Sequence, residues 1–270
     1  MVESQFSPEI TDDFVQMYEE ILVPAIYAQW AHRVADISEI DLGHHVLDVA
    51  CGTGSLTKAA QLEAGLKGKV VGLEASEKML SIAQKKSRAI KWQLGNTESL
   101  PFENNEFDRV ICQFSMMFIP NRVATIKEMI RVCKPDGQVV IAIWAHLDHA
   151  KAYGSLIKLA QKYLGARAAI KLAEPWSLGI PGVMDRMLLA TEINEYICHE
   201  RLGVTRFPSL KSFVDTHLKL VGEFDGLDGE TYEQLLNAAD VDLRQFVVNG
   251  GQLVAQLDAN IYTVKGIKSP

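Results

Sequence analysis

Two acids, Asp48 and Glu74, flank the small-residue run Ala50-Cys51-Gly52-Thr53-Gly54, a spacing that can do chemistry. Before the run, Val46-Leu47-Asp48-Val49 reads as a buried strand, and after it Ser55 to Ala64 has the pattern of an amphipathic helix. Gly52 and Gly54 let the backbone approach a ligand closely, and the helix start offers it unpaired N–H groups. A second apolar run, Val70-Val71-Gly72-Leu73, ends in Glu74. An acid at the tip of a second strand can accept both hydroxyls of a ribose. The unit therefore calls for a nucleoside-containing cofactor.

A dinucleotide site wants Gly-x-Gly-x-x-Gly, but Thr57 stands where the third glycine belongs. Asp48 would repel a pyrophosphate and suits a cation such as an ammonium or a sulfonium. This favours S-adenosylmethionine (SAM) over NAD. Each acid also has a plainer role open to it: Asp48 as a turn cap, Glu74 as a helix-leading acid before Ser76.

Later motifs follow in order. Ile90 to Leu94 reads as a short strand, followed by Gly95-Asn96-Thr97-Glu98-Ser99-Leu100-Pro101-Phe102. Phe107 to Phe114 reads as a fourth strand, and apolar residues at 123, 126, 129, 130 and 133 have helical spacing. Lys134-Pro135-Asp136-Gly137 then turns the chain into the strand Gln138 to Trp144. Across residues 46 to 144 the chain resembles the class I SAM-dependent methyltransferases, and within them the ubiquinone/menaquinone-biosynthesis-like small-molecule group. The resemblance implies an α/β fold with a Rossmann-like seven-stranded, mostly parallel sheet, its last strand antiparallel between the fifth and sixth. It implies a cofactor site of Asp48, Ala50, Cys51, Gly52, Gly54, Glu74, Ala75, Met79, Asn96, Thr97, Gln113 and Phe114. Asn96 and Thr97 would meet the adenine; Gln113 and Phe114 suit cofactor contact and core packing equally. Three positions depart from the family pattern. Ala50 replaces a glycine, which fits an ordinary negative φ; Asn96 replaces an aspartate, and Asp136 a glycine.

These motifs need elements to position them. Phe14, Met17, Tyr18, Ile21 and Leu22 form a helical stripe, and Pro24 is placed to open a second helix through Ile26, Trp30 and Val34. The expected organisation is one domain over 1–270. It has a helical cap at 1–40, a cofactor-binding core at 41–146, helical insertions at 147–191 and 207–252, and final strands within 192–206 and 253–268. The sixth strand is expected over 193 to 205 and the seventh over 256 to 266. Helices are expected within 148 to 190, around a loop at Glu174-Pro175-Trp176, and over Leu210 to Leu220 and Thr231 to Phe246. Cap and insertions should enclose the acceptor, because open α/β sheets bind ligands beyond the carboxyl ends of their strands.

Composition narrows the classes. The net charge of −7, with no run rich in Lys and Arg, argues against a nucleic-acid partner. The apolar run Val139 to Ala145 is far too short to span a membrane, and Met1 to Asp13 has no apolar stretch of a secretory signal. Cys51, Cys112, Cys133 and Cys198 are scattered and read as reduced, buried thiols of a cytoplasmic protein. His146 and His149 lack further ligands nearby, so no metal is expected.

The reaction implied is methyl transfer from SAM to a small, apolar acceptor, with in-line positioning and exclusion of water as the protein's main task. Candidate bases are His146, His149, His217, Tyr18 and Tyr27. Tyr18, Tyr27, Trp30, Met116, Met117, Phe118 and Trp176 are candidates for the acceptor wall, against the plainer role of core packing. Two alternatives keep the cofactor and change the outcome: a non-methylating cyclisation or rearrangement, or a non-catalytic SAM-binding partner.

Overall fold

A computed structural model describes residues 10–193, 195–248 and 250–265. Five strands run parallel: β1 (His45–Val49), β2 (Lys69–Glu74), β3 (Lys91–Leu94), β4 (Phe107–Gln113) and β5 (Cys133–Trp144). With β6 (Ile197–Arg201) and β9 (Ala259–Val264) they form a seven-stranded sheet ordered β3-β2-β1-β4-β5-β9-β6, in which β9 lies antiparallel between β5 and β6. Helices cover both faces of the centre, so the central strands read as continuous apolar runs. Val46, Leu47, Val110, Ile111 and Val139 to Ile143 are buried.

The core helices start where their caps place them. α3 (Ser55–Ala64) begins at Gly54, whose φ of 83° is open to glycine; α4 (Glu77–Lys86) begins at Ser76, which accepts from Met79 N at 3.3 Å. Asn121 caps α5 (Arg122–Val132) by accepting from Ala124 N at 3.1 Å. The turn Lys134 to Gly137 is absorbed at a register shift between β4 and β5 rather than preceding the strand. A Cβ at Gly137 would lie 2.6 Å from Cys133 Sγ and 2.8 Å from the Asp108 carbonyl.

The cap departs from expectation at Pro24. α1 (Asp12–Met17), a π-helical stretch over Tyr18–Tyr27 and α2 (Ala28–Ile37) follow one another without a break. Pro24 lies inside the π stretch instead of opening a helix. The wider turn takes in a pyrrolidine ring that would clash with the carbonyl four residues back in an α-helix.

The final strands differ too. The segments expected as single sixth and seventh strands each divide: β7 (Val204–Phe207) and β8 (Leu253–Gln256) leave the main sheet and pair as a separate antiparallel ribbon. The break follows from close approach at Gly203, where a Cβ would lie 2.2 Å from Trp30, and the Gly203 N–H donates to Asp258 Oδ1 at 3.0 Å. The ribbon is tied to the cap. Gln29 Nε2 donates to the Val204 carbonyl, and Thr205 Oγ1 donates to the Ala25 carbonyl at 3.3 Å. The end of the expected span, 266–268, lies outside the described residues.

The insertions supply α6 (Lys151–Tyr163), α7 (Ala166–Ala173), α8 (Val183–Leu189), α9 (Leu210–Leu220) and α10 (Gly229–Asp242). Among the described residues, no helix is long and apolar enough to cross a membrane. Cys51 is half-buried and Cys112 and Cys133 are buried, but Cys198 is exposed because it sits on the edge strand β6.

Candidate active site

A cavity of about 940 Å³ opens at the carboxyl ends of β1, β2, β4 and β5. This is the point where strand order reverses, between β1 and β4, and where open α/β sheets bind ligands. Asp48, Ala50, Cys51, Gly52, Glu74, Ala75, Met79, Asn96, Thr97, Gln113 and Phe114 all line it. Gly54 does not. Its missing side chain makes room for Trp92 of β3, whose ring a Cβ there would meet at 2.4 Å, so this glycine serves packing.

The turn after β1 is held by backbone. Cys51 N donates to the Leu73 carbonyl at 3.0 Å, and Gly54 N to the Cys51 carbonyl at 2.9 Å. Ala50 has φ of 56° in place of the negative value expected from its side chain. The glycine that many family members carry there suits this conformation better, and alanine holds it under strain. Phe114, at the end of β4, is also left-handed with φ of 50°, an outlier for so bulky a residue. Ser115 joins the two strained sites by donating Oγ to the Ala50 carbonyl at 3.1 Å.

Both acids are engaged. Glu74 Oε2 accepts from Gly52 N at 3.0 Å, and its Oε1 accepts from Ala75 N at 2.9 Å and Ser76 N at 3.0 Å. The carboxylate therefore ties the glycine turn to the start of α4 and retains lone pairs for a ligand. Asp48 is buried and accepts from Thr57 Oγ1 at 2.6 Å, which gives Thr57 its own reason to replace a glycine. Burial pushes the Asp48 carboxyl up to about 7, against the lowering by Thr57. Asn96 is exposed and its Oδ1 accepts from Glu98 N at 2.9 Å; Thr97 is buried against Thr125, their hydroxyls 3.1 Å apart. Gln113 Oε1 is buried without a hydrogen-bond partner.

The far half of the cavity is aromatic and apolar. Tyr18, Tyr27, Phe118 and Trp176 line it, whereas Trp30, Met116 and Met117 do not. The two methionines and Trp30 are fully buried core, and Trp30 packs edge-on against Phe114 (5.7 Å) and Trp144 (6.1 Å). Phe114 and Trp144 stack at 3.6 Å and 6°. Further wall residues had no motif to reveal them: Phe14, Tyr153, Lys171, Leu172, Leu220 and Val221.

The candidate bases separate. His146 and His149 stay outside the cavity; each faces a carboxylate instead, Asp148 at 3.2 Å and Asp258 at 3.7 Å. Tyr18, Tyr27 and His217 line the cavity. Burial raises the Tyr18 phenol well above its usual range and pushes Tyr27 up to about 12, so both remain donors at neutral pH. Burial brings His217 down to about 4, leaving a neutral ring. None of the three is an ionised base at pH 7.

The chain is 40% identical to the demethylmenaquinone methyltransferase of Bacillus cereus (strain B4264) over 116 residues, 41% of this chain and 49% of the relative. It is 39% identical to that of Bacillus licheniformis over 117 residues, 42% and 50% of the two chains. The chain thus spans about half the length of the curated relatives it matches. Among solved structures, the YcgJ protein of Bacillus subtilis aligns with a TM-score of 0.56 at 18% identity, over 88% of this chain and 98% of that one. Phosphoethanolamine N-methyltransferase 2 of Haemonchus contortus, in complex with SAM, aligns with a TM-score of 0.56 at 15% identity, over 94% and 57%. These two likenesses concern the fold. A sequence profile of the ubiE/COQ5 methyltransferase family matches residues 2–163, more than half of the sequence, and the chain belongs to that family.

Proposed function

We propose that this chain is an enzyme that transfers a methyl group from SAM to a small, apolar organic acceptor. The observation that carries the proposal is the division of one cavity into an acidic, backbone-lined end and an aromatic end. When bound, SAM supplies an electrophilic methyl on a sulfonium. The residues present fit that group: a buried carboxyl awaits a cation at Asp48, and the unpartnered Gln113 Oε1 awaits a donor. Glu74 would accept the ribose hydroxyls, and Gly52 and Cys51 would let the cofactor chain lie against the turn. Asn96 and Thr97 would border the adenine, with Ala75 and Met79 beside it.

The cap and insertions would exclude water and hold the acceptor in line. At the aromatic end, burial keeps Tyr18 and Tyr27 protonated and weakens His217 as a base, which suits an acceptor that is already nucleophilic or loses its proton readily. The acceptor itself does not carry over from the relatives. Lys171, Trp176, His217 and Val221 on the wall lie beyond the family-matched residues, so demethylmenaquinone is one member of the panel to test. A cytoplasmic location is part of the same reading, supported by four free thiols.

Calorimetry with SAM, S-adenosylhomocysteine and NADH tests the cofactor. Micromolar binding of the first two is expected, and NADH binding without SAM binding would overturn the proposal. Release of S-adenosylhomocysteine in the presence of apolar acceptors tests the transfer.

A further inference from the structure

The segment between β3 and β4, residues 95–106, joins no helix and neither sheet, yet Gly95, Asn96, Thr97 and Glu98 at its start line the cavity. Backbone bonds to the rest of the chain hold only its ends. Gly95 N donates to the Glu74 carbonyl at 3.0 Å, and Asn105 N and Glu106 N donate to the Arg131 and Val132 carbonyls at 3.0 and 2.9 Å. The stretch between those ends takes its place from α5.

Two charged residues of α5 do most of the holding. Glu128 Oε2 accepts from Leu100 N at 2.7 Å. Arg131 Nη2 donates to the Leu100 carbonyl at 3.0 Å, and Nη1 donates to the Phe102 carbonyl at 2.9 Å and to Asn104 Oδ1 at 2.8 Å. The same guanidinium meets Glu128 with Nε at 2.6 Å and Nη2 at 2.8 Å, a two-pronged pair in which each ion orients the other. Neither residue lines the cavity. An exposed ion pair by itself contributes little to stability. One that also takes up three backbone groups of an irregular loop decides where that loop runs.

The loop's tip has a polar atom to present. Asn96 Oδ1 accepts from Glu98 N at 2.9 Å and keeps a second lone pair. Exchanging the amide oxygen for its nitrogen would break the Glu98 bond, so this side chain offers an acceptor and not a donor.

We propose that Glu128 and Arg131 are positioning residues for the cofactor's base: they hold the loop in the shape that lets Asn96 read the adenine amino group, without touching the cofactor themselves. The inference rests on the methyl-transfer reading and adds to it the source of base specificity. An amino group pairs with Asn96 Oδ1, whereas a 6-oxo group in its place sets two acceptors against each other. A site built to pair a polar group rejects the analogue that lacks it, provided the pairing atom is held in place.

The test titrates the full chain by calorimetry with S-adenosylhomocysteine and with S-inosylhomocysteine, which carries the 6-oxo group. Wild type should prefer the adenosyl probe at least tenfold. Arg131→Met and Glu128→Leu should reduce that preference to about threefold or less, mainly by weakening the adenosyl probe. Arg131→Lys keeps the charge but loses the fork that spans Leu100 and Phe102, so it should behave like Arg131→Met and keeps the test open if that variant fails to fold. Lys127→Met, on the same helix and outside this network, should leave the preference unchanged. In protein without ligand, the amides of residues 97–102 should exchange hydrogen at least fivefold faster in Arg131→Lys than in wild type, with those of α3 unchanged. Equal weakening of both probes would reduce the pair to a general structural role and overturn the inference, as would a tenfold preference that survives in folded Arg131→Lys. Binding of both probes by wild type without discrimination strikes this inference alone, whereas binding of neither strikes the methyl-transfer reading and this inference with it.

Discussion

The two ends of the cavity are built on different principles. At the acidic end, backbone does most of the shaping: a left-handed turn at Ala50 and Gly52, and three N–H groups gathered on the Glu74 carboxylate. At the aromatic end, side chains from the cap, α6, α7 and α9 make the wall, and their backbones only carry them. Backbone geometry tolerates few residue types, so the acidic end recurs as a motif across a family. A wall of side chains can be rebuilt one residue at a time, so the aromatic end can diverge while the fold stays. The family match, residues 2–163, holds the whole acidic end and the cap and α6 part of the aromatic wall, and leaves out the α7 and α9 part.

The largest effect should come from Glu74. In Glu74→Ala, loss of two charge-assisted bonds to ribose hydroxyls should cost about 3 kcal/mol or more, roughly 100-fold in SAM affinity. Because Glu74 also holds Gly52, Ala75 and Ser76, the variant should lose some stability too, unlike an acid that met only the ligand. Acceptor-probe binding at the aromatic end should change little. Unchanged SAM affinity in folded protein, measured by calorimetry, would remove Glu74 from the ribose.

Next is Asp48, where pH separates the two ends. Its carboxyl titrates near 7 in the folded chain, against 3.8 as the ordinary value, so the folded state holds the extra proton between about pH 4 and 7. This group's contribution to stability is therefore greatest below pH 4 and declines as pH rises to 7, by at most about 4 kcal/mol. Asp48→Asn should flatten that decline in melts without ligand and weaken SAM binding by about tenfold. In wild type, a bound cation favours the carboxylate, so SAM affinity should strengthen as pH rises through 7, with proton release visible in calorimetry across buffers. Affinity independent of pH from 6 to 8 would show that Asp48 does not face the cation.

The same contrast explains what was legible in the sequence. The run from Val46 through Glu74 was readable because buried parallel strands leave continuous apolar stretches and the turn admits few residues; Ser55 to Ala64 came out as a helix with its observed bounds. Strand order, with the antiparallel strand between β5 and β6, followed from the family resemblance. The π stretch was hidden because Pro24 looks like a helix start, whereas the chain runs helical through it. The β7–β8 ribbon was hidden because the contact of Gly203 with Trp30, which ends the strand, is remote in sequence. His146 and His149 look like candidates by type and spacing, yet the short turn after β5 directs them to Asp148 and Asp258. The negative φ expected at Ala50 was wrong because the turn's hydrogen bonds, not the side chain, set that dihedral.

A smaller effect is expected at the aromatic wall. Trp176→Phe keeps a ring beside Tyr153 but gives up part of the indole's contact area. The Michaelis constant for an apolar acceptor should rise about fivefold, roughly the worth of one or two buried methylene groups. SAM affinity should stay within twofold, because Trp176 comes from the insertion and not from the turn. A variant that lost SAM and acceptor binding equally would mean that the two ends act as one.

The smallest effect is the sharpest on the origin of the backbone turn. Ala50 holds a left-handed conformation that costs an alanine about 1–2 kcal/mol, while a glycine pays about 0.5–1 kcal/mol more in unfolded-chain entropy. Ala50→Gly should therefore gain around 0.5–1 kcal/mol, a rise of about 2 °C in Tm. If hydrogen bonds from Cys51 to Leu73 and from Ser115 to Ala50 already fix the turn, the glycine variant keeps the same shape and the same SAM affinity. A gain in stability with unchanged affinity would mean that the acidic end is preformed by its backbone. A loss of SAM affinity with that gain would mean that the alanine stiffens a turn which glycine lets relax, and the backbone end would then depend on a side chain after all.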